Sequence, residues 1–280
     1  MVSDEEEEEE NIVEEASEWD GTFEPVTVID SDECSFVVTG LEESSYGDFV
    51  LNIELENKSS EGTYSFDLID LSINGITGTG IYYEDLAPGE KITDVVDLSV
   101  WNDLEEWEID ELSDITDIKI SMQVDNAEDM SEVAYKEAHI YPQGEENAIA
   151  YHREDQDTDL VLFDNDYAKV VYIQTLYGTD AGMAFDLYVE NKTDTDELFT
   201  IENIMINDAE TNPFWLLYVD AGECSFSYIK WSASELEEAG IEDIEAVTDL
   251  IAIQFDFRAV KVEDFTDYFN ETCSLNLQLY

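Results

Sequence analysis

The chain has 280 residues, and its 72 acidic side chains against 10 basic ones give a formal net charge of -62. This charge excludes general nucleic-acid binding, which needs a basic face, and argues against anionic membrane surfaces as partners. No apolar stretch approaches the roughly 20 residues of a membrane-spanning helix, so no transmembrane segment is expected. The acidity fits either a high-salt habitat or an extracellular protein of an organism with an acidic secretome.

The N-terminal segment, residues 1–24, is predicted to be a disordered acidic spacer. Glu5–Glu10 is an unbroken run of six glutamates, and the segment contains no lysine or arginine. Such a segment cannot bury enough apolar surface to offset its ordering entropy. A short helix over Ile12–Trp19 is the alternative. The start of the chain, Met-Val-Ser-Asp, has no signal-peptide pattern, so any export signal is expected to have been removed.

The next feature is an internal repeat. Residues 26–57 align with residues 160–191 at a constant offset of 134, and further on Leu86–Glu90 aligns with Val219–Glu223 at an offset of 133. A repeat of this length is too long for a solenoid unit and suits a whole domain with its own core. The predicted organisation is a spacer (1–24), a first copy (25–142), a polar linker (143–158) and a second copy (159–280).

Each copy is predicted to consist mainly of β-strands. In Phe49–Glu56 and Met183–Val189, apolar residues alternate with polar ones, so Asp186 and Tyr188 are expected to face water. About seven such runs per copy, separated by turn signals, are typical of an antiparallel β-sandwich.

One short helix is predicted in each copy. Ser234–Glu237 has the pattern of a capping box, and Gly240 supplies a C-terminal stop. Asn102–Glu105 stands at the matching place in the first copy. A short helix crossing between two sheets would fit that position.

The three cysteines are Cys34, Cys224 and Cys273. Cys34 aligns with Ala168 and Cys224 aligns with Lys91, so the copies share no cysteine framework. A Cys224–Cys273 disulfide is one alternative. Three small buried hydrophobic residues are favoured.

A set of short motifs runs through residues 25–280. They are Val-Ile-Asp-Ser-Asp, Leu-Phe-Asp-Asn-Asp-Tyr-Ala-Lys-Val, Glu-Asn-Lys-Ser/Thr, Ile-Asn, Ala-Gly-Glu and Ser-Glu-Leu-Glu-Glu-Ala-Gly-Ile. Behind an acidic spacer, they resemble immunoglobulin-like (Ig-like) domains of secreted proteins and lipoproteins from Gram-positive gut bacteria. The second copy matches better, since Trp107 and Glu108 replace the Ala-Gly of the last motif. The resemblance implies an all-β fold of two tandem Ig-like antiparallel sandwiches, an extracellular or surface-anchored location and a non-enzymatic role. It implies no functional residues.

Two Asp-x-Asp pairs, Asp30/Asp32 and Asp164/Asp166, occupy the same place in both copies, between the first two strands. Hard cations such as Ca²⁺ take six to eight oxygen ligands, so each pair is a candidate for two of them. The favoured alternative is a hairpin turn, in which such residues hydrogen-bond their own backbone.

A second candidate calcium site lies at the linker, where Asp155, Asp157 and Asp159 alternate with other residues. The spacing opens like an EF-hand loop, but Leu160 stands where that loop needs glycine. A solvated linker is therefore favoured over a calcium-bound junction. No other cofactor is expected.

Aromatic residues form a candidate ligand platform. Tyr82 and Tyr83 of the first copy correspond to Trp215 and Leu216 of the second. Exposed rings beside carboxylates would suit stacking on a sugar, whereas the favoured alternative places these rings in the core or in half-buried cross-strand pairs. Further aromatic candidates are Trp101, Trp107 and Trp231.

Motifs for catalysis are absent from the sequence. It contains no Gly-x-Ser-x-Gly, no His-Glu-x-x-His and no P-loop, and His139 and His152 have no partners at diagnostic spacing. Two carboxylates would suffice for glycoside hydrolysis. An enzyme would therefore be indicated only by a cleft that holds a close carboxyl pair, one member having a strongly raised pKa.

The expected function is a non-enzymatic extracellular or cell-surface module that binds or displays a protein or glycan. The alternative is a structural subunit of a surface polymer, with homo-oligomerisation that calcium would support. The identity of the ligand does not follow from the residues.

Overall fold

The computed structural model describes residues 24–99, 103–178, 182–207, 209–240 and 250–278. The predicted acidic spacer up to residue 23, its alternative helix and Trp101 lie outside these ranges. Within them the chain consists mostly of β-strands, which confirms the all-β expectation. No described helix has the length and apolarity to span a bilayer.

The strands of the first copy are β1 (Val26–Asp30), β2 (Cys34–Glu43), β3 (Phe49–Asn57), β4 (Tyr64–Ile73), β5 (Ile76–Gly78), β6 (Tyr82–Leu86), β7 (Lys91–Asp97), β8 (Ile118–Asn126) and β9 (Glu132–Ile140). Those of the second copy are β10 (Leu160–Asp164), β11 (Ala168–Gly178), β12 (Gly182–Asn191), β13 (Glu197–Ile206), β14 (Ala209–Glu210), β15 (Leu216–Val219), β16 (Cys224–Trp231), β17 (Leu250–Lys261) and β18 (Asp267–Gln278). The described helices are α1 (Ala233–Glu238) and two short 3-10 helices, Leu112–Asp114 and Glu145–Asn147.

Strands of the first copy form two layers. One sheet has the order β1-β2-β3-β7, and in the other β4 pairs with β8 on one side and with β5 and β6 on the other, while β9 extends β8. Phe36 and Leu51 from one layer and Phe66 and Ile120 from the other belong to a single cluster of buried residues. The two layers therefore enclose a shared core.

The second copy repeats this strand pairing. The order β10-β11-β12-β16 matches β1-β2-β3-β7, and β15, β13, β17 and β18 match β6, β4, β8 and β9. Val26 pairs with Val38 as Leu160 pairs with Tyr172, so the register is preserved at the sequence offset. The repeat in the sequence is thus also a repeat of strand register.

The two copies share one continuous sheet. β5 pairs in parallel with β16 through Ile76 and Cys224, which joins β10-β11-β12-β16 to β5-β4-β8-β9. The hydrophobic cluster of the first copy also includes Val171, Tyr188 and Cys224 of the second. The expectation that each copy closes a core of its own is therefore wrong for the first copy, because its core extends across the junction.

The outer face of β12 is buried rather than exposed to water. Asp186 and Tyr188 are only 1% and 4% exposed, so the expectation drawn from their alternation with apolar residues is wrong. The guanidinium of Arg153, from the predicted linker, lies 5.7 Å from the ring centre of Tyr188. The physical reason is the contact between the copies, since Asn52 and Glu54 at the equivalent positions of β3 stay half-exposed.

The last strand of each copy, β9 and β18, is not among the predicted runs. β9 carries exposed side chains along most of its length, with Ile140 as its buried residue. As an edge strand, β9 buries little apolar surface, so its alternation is weak and the sequence signal is lost. The same reason does not apply to β18, which buries Phe269, Cys273 and Leu275 on one face.

All three cysteines are free and buried. Burial raises the pKa of the Cys224 thiol to about 12 and that of Cys273 to about 11. Their interpretation as small buried hydrophobic residues is confirmed, and the alternative Cys224–Cys273 disulfide is not present.

The helix of the second copy begins at a different cap from the one predicted. Ser232 Oγ accepts the backbone N–H of Glu235 at 3.3 Å, and the Glu235 carboxylate accepts the backbone N–H of Ser232 at 2.8 Å. Gly240, with a φ of 82°, follows the helix as expected. In the first copy the described residues 103–109 form a single turn and no α-helix, and Asn102 lies outside the described residues.

Ser232→Ala is expected to lower the free energy of unfolding by about 1 kcal/mol, because it removes the side-chain acceptor of the capping box. Ser234→Ala is the matched control, since Ser234 lies inside the helix and caps no backbone N–H. Urea unfolding of both variants measures the difference. Equal losses in the two variants would contradict the assignment of Ser232 as the cap.

Candidate functional site

The Asp-x-Asp motifs form turns that are held by lysines. Lys58 Nζ donates to Asp30 Oδ1 at 2.6 Å and to the Ser31 carbonyl at 3.0 Å. Lys192 makes the equivalent contact with Asp164 in the second copy. Each lysine belongs to a Glu-Asn-Lys motif. An ion pair inside each copy therefore explains why the Asp-x-Asp and Glu-Asn-Lys motifs recur together.

The residues between the paired aspartates stabilise the same turns. Ser31 Oγ accepts the backbone N–H of Cys34 at 3.0 Å, and Asn165 Oδ1 accepts that of Ala168 at 3.0 Å. The second aspartates of the motifs, Asp32 and Asp166, are exposed. The motif therefore has the geometry of the hairpin turn that the sequence favours.

The aspartates near the linker also meet cations of the chain. Asp159 accepts two hydrogen bonds from Arg153, at 2.6 and 2.8 Å, and Asp155 accepts one from Lys169 at 2.6 Å. Asp157 is exposed. Across the described ranges, no group of three or more His, Cys, Asp or Glu residues is placed to hold a metal ion.

Two of the three candidate platform residues are buried. Tyr82 and Trp215 are 9% and 5% exposed, whereas Tyr83 is 59% exposed. Successive residues of a strand point to opposite faces, so Tyr82 enters the core while Tyr83 on β6 faces outward. Trp215, which immediately precedes β15, is also buried in the core. The prediction of a ligand platform is therefore wrong for these two residues. Trp107 and Trp231 are buried as well.

A buried ion cluster joins the two copies. Lys119, on β8 of the first copy, lies 2.6 Å from Asp220 Oδ2 and 3.1 Å from Glu223 Oε1 of the second. Thr77, on β5, donates to Glu223 Oε2 at 2.9 Å and accepts the backbone N–H of Asp220 at 3.1 Å. We call Lys119, Thr77, Asp220 and Glu223 the junction cluster.

The junction cluster contains one cation and two carboxylates. Burial alone disfavours the Lys119 ammonium, but the hydrogen bonds and charges of Asp220 and Glu223 outweigh burial and raise the pKa of Lys119. At the edge of the cluster, burial and the charge of Asp220 raise the pKa of Asp70 to about 7. Lys119 is therefore the charge that permits two acids to be buried at this junction.

Two cavities open beside the junction cluster. Residues of both copies line a cavity of about 370 Å³, which we call the main cavity, and a neighbouring one of about 210 Å³, which we call the side cavity. Glu106 and Phe226 line both of them. The main cavity is also lined by Trp107, Tyr218, Ser225 and Tyr228, and the side cavity by Tyr151, Arg153, Gln174 and Asp186.

Glu106 of the first copy and Asp186 of the second form a carboxyl pair within mutual hydrogen-bond reach. Tyr228 donates from its hydroxyl to Glu106 Oε2 at 3.2 Å, and Gln174 Nε2 donates to Asp186 Oδ2 at 3.1 Å. Among the described residues, no N–H or hydroxyl group donates to Asp186 Oδ1. Burial and the charge of Asp186 raise the pKa of Glu106 to about 7, and burial also raises the pKa of Asp186.

The junction cluster and the carboxyl pair are absent from the candidates that the sequence offers. Asp220 and Glu223 align with Ala87 and Glu90, which form an exposed turn in the first copy. The alignment therefore gives no indication that the two acids are buried. Lys119 stands at a polar position of the alternating run Ile118–Val124, as an exposed residue would, so its only signal is that it is one of 10 basic residues. Among 72 acids, nothing marks Glu106 or Asp186.

Comparisons with known proteins add little to this geometry. No protein-family model matches the chain, and no curated protein matches it. Among solved structures, one similar chain is a deletion mutant (DEL162-163) of Bacillus subtilis oxalate decarboxylase OxdC, with 7% identity, 92% of this chain and 80% of that chain covered, and a TM-score of 0.14. A score this low carries no argument about fold or chemistry.

Proposed function

We propose that this protein is a non-enzymatic extracellular or cell-surface module in which two Ig-like β-sandwiches are locked together to bind or display a protein or glycan. The observation that carries the proposal is the junction, where a continuous sheet and the buried Lys119–Asp220 contact hold the copies together. A rigid pair of domains suits presentation of a surface, because a partner then meets one preorganised shape.

The strand order supports the Ig-like assignment. When β1 and the short β5 are set aside, the remaining strands of the first copy follow the Ig order A, B, C, C′, E, F and G. One layer is then A-B-E (β2-β3-β7), and the other is C′-C-F-G (β6-β4-β8-β9). Ig-like sandwiches divide their strands in this way, with C′ added to the G-F-C sheet. The second copy gives the same division.

The arrangement of the carboxyl pair favours binding over hydrolysis. Glu106 and Asp186 are two close carboxyls in one cleft, and the pKa of Glu106 is raised to about 7. Such an arrangement would indicate an enzyme. Their mutual hydrogen-bond reach, however, places Glu106 and Asp186 closer than the roughly 5–9.5 Å that glycoside hydrolases use to accommodate a sugar or water.

Protease treatment of intact cells of the source organism tests the proposed location. With an antibody against this chain, the signal is expected to disappear after treatment, while a cytoplasmic marker protein in the same cells stays intact. Protection of the chain under these conditions would overturn the surface assignment. If the chain is released into the medium, its recovery there before treatment supports the secreted form.

Two measurements on the purified protein separate the rival functions. Size-exclusion chromatography over a range of concentrations, with and without Ca²⁺, is expected to give one monomeric species. Growth of the species with concentration would favour the polymer subunit. Assays against glycoside and peptide substrates are expected to show no turnover, and turnover that Glu106→Gln abolishes would overturn the non-enzymatic role.

A further inference from the structure

The carboxyl pair is held in a contact that the two groups cannot satisfy by themselves. Ionised carboxylates accept hydrogen bonds and do not donate them. Glu106 and Asp186 lie within hydrogen-bond reach of each other, so their contact requires either a shared proton or a positive group beside them. The side cavity opens at this place, because both residues line it.

Asp186 offers an acceptor that no N–H or hydroxyl of the described residues satisfies. It is 1% exposed, and Gln174 donates to Oδ2, whereas Oδ1 has no such donor within the described ranges. A buried carboxylate oxygen without a donor is costly, since it has lost water and gained no hydrogen bond. A ligand that carries several N–H donors would remove this cost.

The charges around the side cavity favour a cation. Of the residues that the structure describes, its lining carries four carboxyl groups, those of Glu106, Glu108, Glu154 and Asp186, and one cation. That cation is Arg153, whose guanidinium is already engaged by the two oxygens of Asp159 and by the ring of Tyr188. An anionic ligand would meet this excess of negative charge and be repelled.

The remaining wall of the side cavity is apolar. Tyr151 and Phe226 meet edge to face with ring centres 6.0 Å apart, and Ile173 lies beside them. Such a wall suits an alkyl chain, and aromatic rings also attract an ammonium group. A divalent metal ion fits this site less well, because the described residues place no third His, Cys, Asp or Glu ligand beside the pair.

We propose that the side cavity binds an alkylammonium group, which donates to Glu106 and Asp186 from the cavity side and packs its carbon chain against Tyr151 and Phe226. This inference rests on the proposed function, since it names the chemistry that the binding module would recognise. The group belongs either to a free diamine or to a lysine side chain, and both present the same ammonium on an alkyl stem.

Calorimetric titration of the full chain, in about 0.15 M NaCl to screen its general charge, tests the proposal. The probes are 1,5-diaminopentane, N-acetyl-lysine methylamide and, as the uncharged control, 1,5-pentanediol. The two amines are expected to bind at one saturable site, whereas the diol is expected not to bind. Binding of the diamine alone assigns the site to free diamines, and comparable binding of the lysine derivative assigns it to side chains.

Glu106→Gln and Asp186→Asn are each expected to weaken amine binding at least about tenfold, because each removes one charge-assisted hydrogen bond. Glu190→Gln is the matched control. Glu190 lies on the same face of β12, and its substitution removes the same charge, but Glu190 does not line the cavity. The amine affinity of this variant is therefore expected to stay within about twofold of wild type.

Three outcomes would overturn the proposal: no saturable binding to the wild type, equal affinities in wild type and both pair variants, or equal binding of the diol. Circular dichroism verifies that the variants fold, and if one pair variant does not fold, the other decides. If the purified chain does not bind amines, the protease result on intact cells is unaffected. If the surface assignment fails instead, amine binding by the purified chain can still be measured.

Discussion

Lys119→Met is expected to lower the free energy of unfolding by about 3–5 kcal/mol, the usual cost of removing one partner from a buried ion pair. The variant leaves Asp220 and Glu223 at the junction without their cation, and Asp220 is only 2% exposed. Desolvated carboxylates that face each other repel strongly at low effective dielectric. Because the lost contact joins the two copies, one cooperative unfolding transition is also expected to separate into two.

Urea unfolding followed by fluorescence and circular dichroism measures this effect. Lys91→Met is the matched control, because Lys91 pairs with Glu54 on the surface and its side chain is 49% exposed. Surface pairs of this kind contribute little, so the control is expected to behave like wild type.

A rescue variant identifies the cause of the loss. When Asp220→Asn and Glu223→Gln are combined with Lys119→Met, the uncompensated charges are removed and most of the stability is expected to return. Destabilisation of Lys119→Met by less than about 1 kcal/mol, as for a surface pair, would show that the junction cluster does not hold the copies together.

Glu197→Gln is expected to raise the free energy of unfolding by about 1–3 kcal/mol at pH 8 and to leave it unchanged at pH 4. Glu197, at the start of β13, is fully buried, and neither of its carboxylate oxygens has a hydrogen-bond partner in the part of the chain that the structure describes. The aligned residue of the first copy is Tyr64, whose hydroxyl donates to Glu33 at 2.8 Å. The second copy thus places an acid where the first has a satisfied phenol.

The sign of the pH dependence follows from the raised pKa. Burial raises the pKa of Glu197 from an ordinary value of 4.5 to about 7 in the folded protein. The folded state therefore binds the proton more tightly than the unfolded state, and stability falls as the pH rises from 4.5 through about 7. Glutamine stays neutral throughout, so the variant gains over wild type only in and above this window.

Unfolding free energies measured at intervals between pH 4 and pH 8 provide the profile. Glu202→Gln serves as the control, because Glu202 is exposed and pairs with Arg258 at the surface. Its profile is expected to run parallel to that of wild type. A Glu197→Gln curve that also runs parallel to wild type would contradict a buried carboxyl that titrates near neutral pH.

Local patterns predicted the strands and turns well. The alternation in Phe49–Glu56 corresponds to β3, and the Gly240 stop ends α1 where it was expected. Two of the failures are also local in origin. Ser232 and Ser234 both precede acidic residues at capping spacing, so the sequence does not separate them, and β9 buries too little apolar surface to alternate clearly.

The sequence by itself determined the duplication, the β-strands and the turns that begin with Asp30 and Asp164, because each depends on residues close together in the chain or on a pattern that repeats intact. Only the tertiary structure decided what the outer face of β12 contacts. It alone brought Thr77 to Asp220, which are 143 residues apart, and Glu106 to Asp186. The sequence does not distinguish an aspartate that water solvates from one that a buried lysine stabilises. That difference is set by the docking of the two copies, which determines the environment of each charge.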